Sequence, residues 1–450
     1  MLRHLTNDFF SKSIEQLTQE EDNMSILEPS APQTTEVTVL PTFEMLHNLT
    51  WLTTGTLDQM IQFIASPQQS AEWVHTFLMT HSYHTPAQNL LEALIGHFKA
   101  FPFKETEVNL VHMRIIRTIL RWKSLPCYDF QAAGVENHQL LQEFIQMLRS
   151  NTNHPVASHW ASELEQSVTM IPARYINSIS SCNLRRPTSS MSGNRLSLLQ
   201  IPAMDVAEQL TLIDHQLMCN IKLTELLRTN WSSSKKKKTL APNVIEFAKR
   251  FNRVSTWAAT EVLIAPTNEL RVAVLDRLIK IEKELLKLKN FNGLMAIHAG
   301  LNFCEISRLK PLWKAMPERR TRIFEQVEEL MSPLQNFTEY RNALSETTPP
   351  FIPFQSRLLG DLMSVEQMDL HTSTGAINFY KLSEIGQLLK LVELSQNACY
   401  PFPKMDAIQT FLKDDIFVLS KGVMFSISEQ CLLSFEKVKK PSHRRKKSLS

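Results

Sequence analysis

Two histidines, His81 and His84, have an H-x-x-H spacing that could place two metal-binding side chains together. A protein metal site needs three or four converging ligands, and no third residue of a suitable type follows on the same helical face. The spacing therefore favours ordinary core or surface histidines, and we predict no metal site.

The other reactive residue types show no catalytic arrangement. The sequence has no G-x-S-x-G or H-E-x-x-H motif, and its serines, cysteines and histidines suggest no ordered nucleophile and base. It has only 10 glycines in 450 residues and lacks both G-x-G-x-x-G and the P-loop pattern. We predict a protein that performs no covalent chemistry and carries no cofactor.

The least ordinary segment is PPFIPF, residues 349–354, which is followed by QSRLLGDLMSVEQ. The prolines must precede the helix predicted there, since proline lacks an amide donor and fixes φ. The apolar positions of this helix extend to Met363 and are followed by the polar Glu366 and Gln367. Taken alone, the pattern is also typical of a proline-capped core helix.

The elements around this segment are predicted to be helical throughout. Hydrophobic residues make up 43% of the chain, as in a soluble globular protein, while the scarcity of glycine argues against strand-rich folds. Apolar residues recur at spacings of three and four, most clearly at Val274, Leu278, Ile281, Leu285 and Leu288. We therefore predict an all-α protein with two helical modules.

Changes in composition predict the domain boundaries. A polar leader (1–42) precedes a first helical domain (43–170), and a Ser-rich linker (171–200) separates that domain from a second one (201–435). A basic tail (436–450) ends the sequence.

Charge and cysteine usage limit the partners and the compartment. The net charge of +3 is too balanced for a general nucleic-acid binder, although the basic tail could attract an anionic membrane. The six cysteines form no C-x-x-C pair, and no run of 18 apolar residues or secretory h-region occurs. We expect a cytoplasmic protein, with association at a membrane surface as a second possibility.

Ordered blocks of the sequence resemble the catalytic domain of Ras-type guanine-nucleotide exchange factors. A preceding region resembles the N-terminal motif of the same family. The catalytic blocks are DVAEQLTLIDHQLMCNIKLTELL (205–227), APNVIEFAKRFNRVSTWAATEVL (241–263), LKNFNGLMAIHAGLN (288–302), SRLKPLW (307–313), PPFIPF (349–354) and GAINFYKLSEIGQLL (375–389). The N-terminal blocks are TTGTLDQMIQFI (53–64), VHTFLMTHSYHTPAQNLLEALIGHF (74–98) and HMRIIRTILRWKSLPCYDF (112–130).

This resemblance implies a helical hairpin that leads with residues 355–367, returns near Phe379 and inserts at the Mg²⁺ and phosphate site of a GTPase. Family members place an apolar residue and, four residues later, a carboxylate on the inserted face. The matching residues here are Met363 and Gln367, so a neutral amide replaces the carboxylate. Glu366 is adjacent and could take that part if the helix is rotated or its register is shifted by one residue. Exchange weaker than is usual in the family is the alternative outcome.

The resemblance also implies a GTPase-binding surface. The implied contact residues are Lys249, Arg250, Asn252, Met295, Asn302, Phe354 and Asp361. Asn292 and Arg308 are instead expected to brace the core helices.

The predicted function is guanine-nucleotide exchange on a small Ras-family GTPase, of the Ras, Rap or Ral-like type. Two alternatives remain open at this point: a non-catalytic GTPase-binding module of the same fold, and a helical scaffold or uncharacterised enzyme. The first is favoured by Gln367, and the second predicts a deep pocket instead of an exposed hairpin.

Overall fold

A computed structural model describes residues 52–102, 109–125, 134–151, 154, 156–169, 197–232, 237–413 and 416–439. The predicted leader (1–42), residues 171–196 of the predicted linker and residues 440–450 of the predicted tail lie outside these ranges. Within them the protein is all-α, as predicted, apart from one ribbon of two very short strands.

The described residues up to 169 form a first module of short helices. Strand β1 (Thr54–Gly55) precedes six helices, and a 3₁₀ helix (His81–Tyr83) follows the second of them. The six are α1 (Leu57–Ala65), α2 (Ala71–Thr80), α3 (Ala87–Lys99), α4 (Leu110–Ser124), α5 (Gly134–Ser150) and α6 (Ala157–Thr169).

The second module begins with a 3₁₀ helix (Leu198–Gln200). Its first helices are α7 (Ala203–Asn220), α8 (Lys237–Leu240), α9 (Pro242–Ile264), α10 (Asn268–Lys287) and α11 (Phe291–Leu301), with a 3₁₀ helix (Leu223–Leu226) after α7. The next are α12 (Cys304–Ser307), α13 (Lys310–Lys314), α14 (Glu318–Leu330) and α15 (Thr338–Ser345), with a 3₁₀ helix (Leu334–Asn336) before α15. The last elements are α16 (Gln355–Glu366), β2 (Ile377–Asn378), α17 (Phe379–Asn397), α18 (Asp406–Lys413) and α19 (Lys421–Lys439).

Helices α16 and α17 form a hairpin at the position that the resemblance implies. The leading helix begins after Phe354 and the returning helix begins at Phe379. The connecting residues 367–378 contain β2, which pairs antiparallel with β1 of the first module. The backbone amide of Phe379 also donates to the carbonyl of Thr53 at 2.8 Å. The tip of the hairpin is thus tied to the first module by main-chain bonds.

The buried apolar residues form two cores, and the hairpin belongs mainly to the first. This first core joins helices of the first module to four residues of α16, namely Leu358, Leu359, Leu362 and Val365, and to the buried face of α17. Trp73 of α2 stacks on Phe379 at the start of α17, with ring centroids 4.4 Å apart. The second core fills the body of the second module and includes Phe354 at the base of α16.

None of the helices in the described ranges combines the length and apolarity needed to cross a membrane. Within the same ranges, no group of three or more His, Cys, Asp and Glu residues is placed to hold a metal ion.

Candidate functional site

The start of α16 is fixed by contacts to three other helices. Phe354 is 1% exposed and its amide donates to the Tyr340 hydroxyl of α15 at 2.9 Å. The Gln355 side chain donates to the Val244 carbonyl of α9 at 2.9 Å, and its amide donates to Asn292 of α11 at 3.2 Å. Asn292 therefore braces the helices, as expected, and the direction of α16 is set at its base.

The stem of α16 is held by a buried ion-pair cluster. Asp361 is 6% exposed and accepts from Arg341 of α15 at 2.6 Å. Arg357, one turn earlier on α16, also donates to the Asp361 carboxylate. A carboxylate shared by two guanidinium groups offsets the cost of burying the charge, so this cluster secures α16 to α15.

The opposite face of α16 is exposed at its far end. Met363 is 43% exposed, although the leucines beside it are buried. Ser364 and Gln367 are exposed as well, and Gln367 is the C-cap of the helix. Since residues four apart lie on one face, Met363 and Gln367 present a thioether and an amide to the outside together.

Glu366 does not share this face. Its side chain is only 14% exposed, and Oε2 lies 3.1 Å from Nζ of Lys381. Oε1 accepts from the amide of Arg228 at 2.9 Å and from the hydroxyl of Tyr83. A rotation of the helix that brings Glu366 outward would break all of these contacts, so the structure offers no support for Glu366 as a replacement for Gln367.

Three of the predicted contact residues lie at the surface of the second module. Lys249 is exposed on α9, and Asn252 is half-buried one turn further on. Asn302 is half-buried at the C-cap of α11, where its amide lies 3.0 Å from Nε2 of His298. Nδ1 of His298 contacts Glu282 of α10 at 3.2 Å, and burial raises the pKa of that carboxyl. This buried pair holds Asn302 from below.

The other four predicted contact residues, Arg250, Met295, Phe354 and Asp361, are buried in this structure, whereas the resemblance implied that they line a surface. Arg250 is 8% exposed, and it donates to the Leu412 carbonyl at 2.7 Å. Met295 is 4% exposed and packs in the second core with Phe354. Asp361 is engaged in the ion-pair cluster described above. Burial leaves these side chains little area for a partner in this conformation. Their internal contacts instead support the helices that form the surface.

Sequence reasoning missed Tyr83, Arg228 and Lys381, which surround Glu366. Arg228 lies one residue beyond the block 205–227, and Tyr83 lies inside an N-terminal block, within the H-x-x-H spacing. Neither position carries a local signal for its contact with Glu366, which lies 283 residues from Tyr83 and 138 residues from Arg228 in sequence. Lys381 could have been suspected, because a lysine stands among the apolar residues Phe379, Leu382 and Ile385 in the first turns of the helix.

Comparison with known families gives two matches. The RasGEF domain matches residues 205–383, and the RasGEF N-terminal motif matches residues 52–147. The first range contains the hairpin's leading helix, and the second contains β1 and helices α1 to α4.

Several curated proteins of Dictyostelium discoideum are similar to this chain. Ras guanine nucleotide exchange factor Q is 36% identical over 227 residues, which are 50% of this chain and 17% of that protein. Ras guanine nucleotide exchange factor A is 27% identical over 369 residues, or 80% of this chain and 60% of that protein. Factor R is 28% identical over 369 residues, or 80% of this chain and 21% of its own length. The match thus spans between 17% and 60% of each of these relatives.

Proposed function

Because this chain belongs to the family of Ras guanine nucleotide exchange factors, we propose that it promotes GDP release from a small Ras-family GTPase. The partner is of the Ras, Rap or Ral-like type. The exposed end of α16 enters the site at which the GTPase holds Mg²⁺ and the phosphates of the nucleotide. The observation that carries this proposal is the joint exposure of Met363 and Gln367 on a helix whose other face is buried.

The energetic argument for exchange is linkage. A protein that binds the empty GTPase more tightly than the loaded one must weaken nucleotide binding by the same factor. Each 1.4 kcal/mol of that difference changes the nucleotide affinity about tenfold. The exchange factor therefore needs side chains that fit the GTPase only when the metal and phosphates have left.

Met363 supplies the steric part of this competition. It is unbranched and adaptable, so it can fill the irregular space that the metal and its water ligands occupy. The exposed thioether of Met363 also exchanges water for apolar contact when it is inserted.

Gln367 supplies the polar part. Its amide can accept a hydrogen bond from a lysine or serine that otherwise contacts phosphate, but it carries no charge. The inserted face of this chain is therefore neutral, since Glu366 points to the first module. Displacement here depends more on occlusion by Met363 than on charge repulsion.

The division into domains supports the same role. We propose that the region 43–170 acts as a brace and the region 201–435 as the catalytic domain. The first core, which includes buried residues of both α16 and α17, gives that brace a physical basis.

Release of a fluorescent nucleotide from a panel of Ras, Rap and Ral-like GTPases tests this proposal. We expect the chain to accelerate release from at least one of them, and Met363→Ala to remove most of the acceleration. Met204→Ala is the matched control, because Met204 is 39% exposed on α7, outside the hairpin. Equal loss in both variants, or no acceleration by the wild-type chain, would contradict the proposal.

A non-catalytic binding module is the second candidate, and the neutral Gln367 is the observation in its favour. Such a module would form a stable complex with a GTPase and leave nucleotide release at its intrinsic rate. Complex formation on a sizing column, measured beside the release assay, separates the two candidates.

We also propose that the basic tail (436–450) contacts an anionic membrane, where a lipid-anchored GTPase would be concentrated. About 1 kcal/mol per basic residue near the surface is available for this contact. Deletion of residues 437–450 should lower binding to anionic liposomes without altering exchange in solution. A change in the exchange rate in solution would contradict this separation of roles.

A further inference from the structure

The far end of α16 lies where three segments of the chain meet. Glu366 contacts Tyr83 of the first module, the amide of Arg228 and the ammonium group of Lys381 on α17. We call these four residues the Glu366 clamp. They join the two modules beside Met363 and Gln367.

Lys381 closes the hairpin from inside. Its side chain is 6% exposed, and Nζ donates to the carbonyls of Glu366 at 3.0 Å and Met368 at 2.9 Å. The last carbonyls of a helix have no partner within the helix and carry partial negative charge. Lys381 therefore caps the C-terminus of α16 and neutralises the Glu366 carboxylate with the same ammonium group.

Tyr83 and Arg228 hold Glu366 from the other side. Burial, together with the hydrogen bond to Glu366, raises the pKa of Tyr83, so its hydroxyl keeps the proton that it donates. The amide of Arg228 donates to Tyr83 as well as to Glu366, each at 2.9 Å. Its guanidinium group donates to the Ser82 carbonyl and covers the Tyr83 ring, 5.4 Å from the centroid.

The backbone at this contact adopts an uncommon conformation. Arg228 and Thr229 have φ values of 54° and 51°, in the left-handed region that residues other than glycine rarely occupy. Surrounding contacts must maintain such a conformation, and it places the Arg228 amide within reach of Glu366.

We propose that Glu366 is a positioning residue for nucleotide exchange, which fastens the last turn of α16 to the first module and thereby aims Met363 and Gln367. This inference rests on the proposed exchange function. Glu366 follows Met363 by three residues and precedes Gln367 by one. Loss of the clamp would free both of those residues, while Asp361 would continue to secure the stem.

The clamp and the surface of the body act on different steps. Lys249, Asn252 and Asn302 lie on the body of the second module, outside the clamp. A loosened clamp should therefore lower the maximal rate of nucleotide release, kcat, and leave KM for the loaded GTPase nearly unchanged. A displacement of about 1 Å at a reacting geometry can cost roughly a hundredfold in rate.

The experiment compares Glu366→Ala and Tyr83→Phe with Glu393→Ala as the matched control. Glu393 also joins α17 to the first module, since its carboxylate lies 2.9 Å from His75 of α2. It lies twelve residues beyond Lys381, roughly 18 Å along the helix at 1.5 Å per residue. Tyr83→Phe keeps the ring under Arg228 and removes only the hydroxyl, so it tests the clamp even if Glu366→Ala does not fold.

Two readouts are measured for each variant. We expect kcat to fall roughly tenfold to a hundredfold in Glu366→Ala and roughly fivefold in Tyr83→Phe, with KM within twofold of wild type. We also expect amide hydrogen exchange in residues 363–368 to accelerate in both clamp variants and to stay unchanged in Glu393→Ala.

Each outcome decides a separate question. Wild-type kcat and exchange protection in Tyr83→Phe or in a folded Glu366→Ala would overturn the clamp, and equal losses in Glu393→Ala would assign the effect to general coupling of the modules. Absence of nucleotide release by the wild-type chain would overturn the proposed function. In that case, faster amide hydrogen exchange in residues 363–368 of the clamp variants would still show that Glu366 fastens the helix, and unchanged hydrogen exchange would show that it does not.

Discussion

Replacement of Gln367 by glutamate should increase the exchange rate. Gln367 is exposed at the C-terminus of α16, where the helix dipole is negative. The new carboxylate would therefore lower the stability of the helix by about 0.3–1 kcal/mol. The change leaves the Glu366 clamp in place. A hydrogen bond to a charged group contributes about 1.5–3 kcal/mol, against about 0.5–1.5 kcal/mol for a neutral one. A gain of about 1 kcal/mol in the complex with the empty GTPase corresponds to about a fivefold faster release.

The assay is release of a fluorescent nucleotide at saturating exchange factor, with the GTPase that responds best to the wild-type chain. Gln430→Glu makes the same substitution at an exposed position of α19 and controls for the change in net charge. The gain in Gln367→Glu should shrink as salt is added, because screening weakens charge interactions that are open to solvent. An unchanged or lower rate in a folded Gln367→Glu variant would refute the argument that the missing charge on the inserted face limits the rate of exchange.

Two further predictions concern stability. Gly300→Ala should lower the free energy of unfolding by about 3 kcal/mol, because the added Cβ would lie 2.2 Å from the Ser255 carbonyl oxygen where α9 and α11 pack. Gly96→Ala in α3, where nothing lies within 4 Å, should instead raise it by about 0.5–1 kcal/mol; equal effects in urea denaturation would contradict the packing argument. The pKa of His84 is lowered to about 4, chiefly because burial disfavours the imidazolium form. The unfolded chain takes up that proton near pH 6.5, so lowering the pH from 6.5 to 4 should reduce the free energy of unfolding by up to about 3 kcal/mol. In denaturation curves measured at pH 7 and pH 5, His84→Leu should reduce this dependence on pH.

The helices of the second module could be predicted because their apolar spacing is regular. Val274, Leu278, Ile281 and Leu285 are all buried on α10, as the spacing of four and three requires. The ribbon of β1 and β2 could not be predicted, since two-residue strands contain no periodic signal. The contact of the hairpin with the first module was equally hidden, because spacing within one helix does not specify the partner of its buried face.

The candidate site was predictable where neighbouring residues share one helix and was not where they contact distant segments. The resemblance implies Met363 and Gln367, their separation of four residues predicts a shared helix face, and the structure places both on the exposed face. The fate of Glu366 depends on Tyr83 and Arg228, which are 283 and 138 residues away in sequence. Neither contact produces a local pattern in the sequence.

Helical phase separates contact residues from supporting residues more sharply than the resemblance does. On α9, Arg250 lies three residues after Phe247 and four before Val254, so it falls on the buried stripe, whereas Lys249 is turned away by about 100°. The neighbours Glu366 and Gln367 differ by the same angle on α16. Glu366 likewise lies inward, and Gln367 is exposed. A motif match transfers both members of such a pair, but only the outward member can meet a partner first. The footprint of the GTPase should therefore include Lys249 and Gln367, with Arg250 and Glu366 holding their helices from behind.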